Sequence, residues 1–432
     1  MQNKAFVNGL LDFVKRSPTP FHAVETMVEM LENAGFERLT EKEQWSVNKA
    51  GRYFVTRNDS SIIALQLNQP LAEHGIQMVG AHTDSPCLKV KPNPDIIKNG
   101  YLQLGVETYG GVLLNPWFDR DLSLAGRVSY LDENNKIGHR LVDWKKAIAT
   151  IPSLAIHLDR EANEKRSINK QKHLPPVLMR LPENSSDDVS FNKLLLDLVN
   201  AELESDSRVT AAKVLDYELS FYDVQQPAVI GLNDEFIAAA RLDNLLSCYT
   251  ALMALLDNGG EENVLLVCND HEEVGSVSAA GAQGNFLKSV LSRLSGSDEA
   301  LSRCMASSLM ISVDNAHAVH PNYADRHDAN HGPIINQGPV IKVNANQRYA
   351  SNSETGAMFK HWCEIAEVPV QSFVVRSDMG CGSTIGPITA NELGVATVDV
   401  GVPTFAMHSI REQAGCLDGW HLYRVLNRYF GS

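Results

Sequence analysis

The sequence predicts an α/β fold, a mixed and largely parallel sheet flanked by helices, with a β-rich domain inserted into it. Three observations carry this reading. Apolar strand-like runs alternate with helical patterns at both ends of the chain, as in LLSCYTALMALLDN (245–258) followed by NVLLVC (263–268). Between about 92 and 232 that alternation gives way to short runs broken by glycine and polar turns. The chain has 432 residues, past the size at which one core stops growing, so about two domains are expected. Residues 1–91 and 233–432 are read as one discontinuous domain, and residues 92–232 as the insert.

The elements follow in order. Phe6, Leu10, Phe13 and Val14 recur at helical spacing. A second helix takes Thr19 as its cap, Pro20 as its first residue and Gly35 as its stop, and buries Phe21, Val24, Val28 and Leu31. Strand-like runs start at Arg52 (RYFVT), Ser61 (SIIALQL) and Ile76 (IQMVGAHTD). In the insert, LQLGVETYGGV and GRVSYLDE read as strands, residues 161–173 as an exposed loop and residues 191–204 as a helix. After the long helix and NVLLVC come helices near 285–308, the strands LMISVD and VIKV, a helix at 353–367, the strands QSFVV and VATVDVGV, and a final helix near the C-terminus.

Composition excludes several classes. Apolar residues make up 44% and charged residues 21%, which is globular and neither disordered nor collagenous. No apolar run approaches the ~20 residues of a spanning helix. The net charge of −14 argues against nucleic acid or an anionic membrane as partner. The seven cysteines are scattered without a Cys-x-x-Cys pair, a reduced intracellular pattern. The first residues show neither an apolar core nor a small-residue cleavage site, so a cytoplasmic protein is expected.

Five segments place His, Asp and Glu at or just after predicted strand ends, where open α/β sheets build their sites. They are GAHTDSP (His82, Asp84), RLDNLLS (Asp243), NDHEEVGS (Glu272, Glu273), SVDNAHAVHPNY (Asp314, His317, His320) and FAMHSIRE (His408). Each alone has an ordinary structural explanation: a satisfied histidine, a helix-capping aspartate, a solvated pair of glutamates. Together they do not. NVLLVCNDHEEVGS runs from a buried strand into four consecutive ionisable residues, with no matching run of Lys or Arg nearby. Burying such a cluster is costly unless something positive neutralises it. A divalent metal does so, and His with carboxylates suits zinc, cobalt or manganese.

At least five candidate ligands exceed the three that one open zinc site needs, which points to two ions bridged by a carboxylate and a water. The spacing His82-Thr83-Asp84 puts both side chains on one strand face, so Asp84 is expected to accept from the far ring nitrogen of His82. Of Glu272 and Glu273, one is expected to bind metal and the other to act as general base. The chemistry is hydrolysis of an amide or ester. No Gly-x-Ser-x-Gly elbow is present, and the glycines of RSDMGCGSTIGP match neither Walker nor dinucleotide spacing.

With these motifs in hand, the chain resembles the aspartyl aminopeptidases, a family of binuclear zinc exopeptidases, in a bacterial-type form. The resemblance runs through SPTPFHAV, GAHTDSPCLKVKP, WFDRDLSLAGRV, IPSLAIHLDR, RLDNLLSCYTAL, NDHEEVGS, SVDNAHAVHPNY, RSDMGCGSTIGPI and MHSIRE, in order. It implies a zinc-exopeptidase-like sheet and two Zn2+ per subunit, with Co2+ or Mn2+ as possible substitutes. His82 and Asp314 would hold one ion, Glu273 and His408 the other, and Asp243 would bridge them. Glu272 would be the general base acting on the metal-bridging water, and Asp84 the outer partner of His82. His317, Lys342 and Tyr349 would contact substrate, and His157 would reach a neighbouring subunit's site, with His173 near it in sequence. The family removes N-terminal Asp or Glu from peptides and forms homo-oligomeric dodecamers through the inserted domain.

A surface of net −14 repels acidic peptides, so specificity needs a local cation. Lys342 is the first candidate, with Arg348 and Arg376 as alternatives. The competing readings are a binuclear zinc aminopeptidase or deacylase of other specificity, and a non-catalytic, metal-containing peptide-binding assembly protein. His320, His327 and His331 raise a third-metal reading that polar loops beside active sites make weak, and His271 reads as structural.

Overall fold

The computed structural model describes residues 1–47, 50–181, 189–204 and 209–431. The chain divides into two compact units. The first comprises Met1–Asp84, Pro227–Met407 and Arg411–Ser432, and the second Ser85–Gln226 with His408–Ile410. The strand Cys87–Lys98 lies wholly in the second unit, so the chain leaves the first at Asp84 and returns at Pro227.

In the first unit, the helices Asn3–Arg16 and Pro20–Asn33 bury Phe6, Leu10, Phe13 and Val14, and Phe21, Val24, Val28 and Leu31. Thr19 precedes the second helix but does not cap it with its side chain. Its hydroxyl meets His22 Nδ1 at 2.8 Å instead, and Pro20 with its preset φ opens the helix. Gly35, at φ 82°, takes the left-handed conformation that follows the helix end.

The main sheet, among the described residues, has nine strands. Across it run Glu37–Arg38, Gly51–Arg57, Ser61–Leu67, Val264–Asn269, Gln77–His82, Leu309–Val313, Ala396–Gly401, Val340–Lys342 and Gln371–Phe373. The central four from Val264–Asn269 to Ala396–Gly401 are mutually parallel, and antiparallel pairings occur towards both edges. Every residue of Ser61–Leu67 and Val264–Asn269 is buried, as expected when helices cover both sheet faces. One face packs on Leu242–Leu256, Asp418–Phe430 and the two N-terminal helices. The other packs on Phe286–Ser295, Asp298–Ala306 and the start of Ile385–Leu393.

The helix Ile385–Leu393 has no counterpart in the sequence reading, because Gly386 and Pro387 weaken its helical signal. Both lie in the first turn, where Pro is tolerated, and Thr384 caps it by accepting from Gly386 N. A smaller sheet in the same unit orders Ala228–Ile230, Phe236–Ala239, Glu412–Gly415, Pro403–Phe405 and Ala316–His317.

The second unit holds a fully antiparallel sheet of Ile137–Asp143, Leu122–Asp132, Ala211–Asp223, Cys87–Lys98, Tyr101–Tyr109 and Val177–Arg180. The helix Phe191–Glu204 seals its core with Phe191, Leu195, Val199 and Leu203. Residues 161–173 are mostly exposed but not simply a loop, since they form two short helices, Ala162–Lys165 and Lys170–His173.

Candidate metal centre

Three neighbouring parallel strands, Val264–Asn269, Gln77–His82 and Leu309–Val313, deliver their carboxyl ends to one place in the first unit. His82 is the last residue of its strand and only 2% exposed, and Cys248 Sγ donates to its carbonyl at 3.0 Å. His82 Nε2 lies 3.5 Å from Asp243 Oδ1 and 3.5 Å from Asp314 Oδ1. Because the strand ends at His82, Asp84 sits on the loop beyond it rather than on the same strand face. His82 Nδ1 is 3.0 Å from the Asp84 carbonyl and 3.4 Å from its carboxylate.

The Asp84 carboxylate has a second task. Oδ1 accepts from Glu272 N at 3.1 Å and Oδ2 from Glu273 N at 3.0 Å. These N–H groups open the single 3-10 turn Glu272–Val274, entered through His271 in the left-handed region at φ 63°. One buried aspartate thus orients the imidazole and the glutamate pair together. His271 Nδ1 meets Ser278 Oγ at 2.8 Å, in keeping with a structural role.

Asp243 stands at the start of Leu242–Leu256, preceded by Arg241 in the left-handed region. It does not cap the helix; its carboxylate faces His82. Asn244 Nδ2 donates to the Val313 carbonyl at 2.9 Å, which ties this turn to the strand before Asp314. His82, Asp243 and Asp314 each offer a ligand atom within 4.8 Å of the others, and so do His82, Glu272 and Glu273. The two groups share His82. An imidazole with carboxylate oxygens is a donor set that zinc accepts.

The electrostatics are those of a dense, buried acidic cluster. Burial pushes His82 down, but Asp243, Asp314 and Asp84 around it win and leave its pKa well above 6.5. Burial, aided by Asp314, Asp84 and Asp243 and opposed by His82, raises Glu272 to about 7. Burial would raise Asp314 as well, yet Lys342 and His82 hold it far below the usual carboxylate range.

Lys342 is 2% exposed, with Nζ 3.0 Å from Asp314 Oδ2 and 5.4 Å from the centre of the Tyr349 ring. Tyr349 is buried with Ala316, Val340 and Phe373, and the His317 ring meets Phe373 edge-on at 5.7 Å. Arg348 Nε donates to the Gly382 carbonyl, and Arg376 is paired with Asp378. The glycine run near Gly382 leads into Ile385–Leu393, where the Asp399 carboxylate accepts from Thr384 Oγ1 at 2.5 Å. His320 packs between Tyr323 and Phe405, and His331 Nδ1 pairs with Asp328 at 2.6 Å. Neither they nor His327 join a cluster of three ligand-type side chains among the described residues.

Two sequence candidates belong to the second unit. His408 lies in the left-handed region (φ 68°), with Nδ1 3.2 Å from the Gly111 carbonyl. His157 sits in an exposed turn between Ile156 and Leu158, not on a strand. One residue, the last of FAMHSIRE, received no role from the sequence. Glu412, 1% exposed, accepts the backbone N–H of Asp243 at 3.0 Å. Nothing in the string around it separates it from the charged residues beside it.

Carboxylates from strand ends, a helix start and a turn around one buried imidazole suit a metal-dependent hydrolase. The family described as Aminopeptidase I zinc metalloprotease (M18) matches residues 13–430. A probable M18 family aminopeptidase 2 from Pseudomonas paraeruginosa is 62% identical over 426 residues, covering 98% of this chain and 97% of its own. Ape4 in its complex with Nbr1 superposes with a TM-score of 0.95 at 39% identity, over 99% of this chain and 86% of that one. The S. cerevisiae mApe1 dodecamer gives 0.82 at 27% identity, over 98% and 96%. The chain belongs to the M18 family and is a zinc-dependent aminopeptidase.

Proposed function

We propose that this aminopeptidase removes an unblocked N-terminal Asp or Glu, with Glu272 as general base. The observation that carries the specificity is Lys342, a buried ammonium at the margin of the carboxylate cluster in a protein of net charge −14. Its contact with Asp314 uses one of three ammonium donors, and an acidic substrate side chain takes another. Tyr349 and His317, beside it, flank the same side chain.

In this reading His82 and Asp314 would hold one zinc, Glu273 and His408 the other, and Asp243 would serve both. Zinc, when bound, supplies a Lewis acid and a water that is nucleophilic at neutral pH. Glu272 takes the proton of the attacking water on a carboxylate oxygen and hands it to the leaving amine nitrogen. Asp84 keeps Glu272 and Glu273 in place through their peptide N–H groups.

The protein also acts as a homo-oligomer, with the second unit in the assembly role. Supporting this, Leu154, Ile156 and Leu158 are 59%, 48% and 76% exposed around His157. His157 then serves a neighbouring subunit's site. The S. cerevisiae relative, solved as a dodecamer, sets the size to look for.

Initial rates on matched Asp-, Glu- and Leu-peptides, free and N-blocked, test the function. Faster cleavage of the free acidic peptides is expected, and Lys342→Ala should reduce it more than Leu cleavage. Equal losses would remove Lys342 from side-chain recognition.

A further inference from the structure

Glu412 lies on the strand Glu412–Gly415, where it pairs with Ala239. It is 1% exposed, and burying a carboxylate there is costly. Its Oε2 accepts the Asp243 N–H at 3.0 Å. Asp243 stands at the start of a helix, where the first N–H groups lack acceptors within the helix. The neighbouring residues are fastened as well. Arg241 donates Nε to the Ser17 carbonyl at 3.0 Å and Nη2 to the Val14 carbonyl at 3.1 Å. Asn244 reaches the Val313 carbonyl at 2.9 Å.

The peptide between these two anchors carries the Asp243 carboxylate to 3.5 Å from His82 Nε2. We propose that Glu412 is a positioning residue of the zinc site, holding the Asp243 peptide so that its carboxylate stays aimed at the ions. It acts through Asp243 and touches neither substrate nor metal. This rests on the reading of Asp243 as a ligand.

The test uses the full-length zinc-loaded enzyme and four variants: Glu412→Ala, Glu412→Gln, Glu412→Asp and Asp243→Asn. Zinc content after dialysis against graded chelator is measured beside kcat, KM and circular dichroism. Glu412→Ala should lose zinc at a chelator concentration about 10- to 100-fold lower than wild type. Its kcat should fall by a similar factor while KM moves less than about threefold. Gln, which keeps an acceptor at the same reach, should restore both. Asp, which keeps the charge one methylene short, should not.

Wild-type zinc retention in Glu412→Ala, or better retention with Asp than with Gln, overturns the positioning role. If the Ala variant does not fold, the order of Gln and Asp decides alone. Asp243→Asn holding zinc as wild type does would overturn the ligand reading itself. Zinc loss in that variant, with normal retention in Glu412→Ala, overturns only the role of Glu412.

Discussion

Asp84 shows how few residues organise the centre. Its carboxylate accepts two peptide N–H groups and its carbonyl faces the imidazole. Replacing it by Asn leaves one acceptor oxygen where two are used. Asp84→Asn should therefore lower kcat about 10- to 100-fold in a folded protein. Steady-state kinetics with a circular dichroism control check this, and wild-type kcat would show that the glutamate turn needs no such support.

Charge at the same residues predicts how zinc binds. Without metal, His82 is held protonated by its carboxylates and Glu272 ionises only near 7. Zinc must displace those protons, so uptake should release protons and tighten as pH rises from 6 to 8. Titration calorimetry in buffers of different ionisation enthalpy reads that release. A pH-independent uptake without proton release would contradict the protonated cluster.

That His82, Asp243, Asp314, Glu272 and Glu273 gather was legible in the sequence, because His and acids at strand ends have no ordinary collective explanation. Glu412 and the second task of Asp84 were not. Both act on backbone N–H groups distant in sequence, and no local pattern records such a contact.

At the scale of elements, the strands were readable wherever burial on both faces produced continuous apolar runs, as in Ser61–Leu67 and Val264–Asn269. Where a strand ends was harder to read. The run through His82 continues into polar residues without a break, although the strand ends at His82. The helix Ile385–Leu393 was hidden by Gly386, which is required for a tertiary reason. A Cβ there would lie 2.4 Å from both Asp399 carboxylate oxygens.

The C-terminal helix shows how such tertiary bonds hold elements together. Tyr429 Oη accepts from Met78 N at 2.9 Å and donates to the Leu309 carbonyl at 2.6 Å, pinning two site-bearing strands. Tyr429→Phe leaves a buried N–H without that acceptor and should cost about 1–3 kcal/mol in denaturant unfolding. An unchanged midpoint at unchanged slope would show the strands need no such pin.

For the whole molecule, zinc and pH act together on stability. Glu272 is raised from 4.5 to about 7 and His82 lies well above 6.5, so each binds more protons in the folded zinc-free protein than in the unfolded chain. Zinc-free stability from these groups therefore falls as pH rises through neutrality. Zinc-loaded protein escapes that loss. The gap in thermal midpoint between loaded and chelated protein should be wider at pH 8 than at pH 6, and a gap that narrows would contradict the cluster's charge. No helix among the described residues is long and apolar enough to cross a membrane, in line with the sequence reading. Light scattering coupled to size exclusion measures the assembly, and a monomer at working concentration would contradict the oligomeric reading.

The most direct test of the central claim is Glu272→Gln, with turnover of an Asp-peptide and zinc content measured on the same sample. Turnover should fall by roughly 10²- to 10⁴-fold while zinc stays near the wild-type level. Substantial turnover in a zinc-loaded Glu272→Gln enzyme would contradict Glu272 as the proton-transferring base.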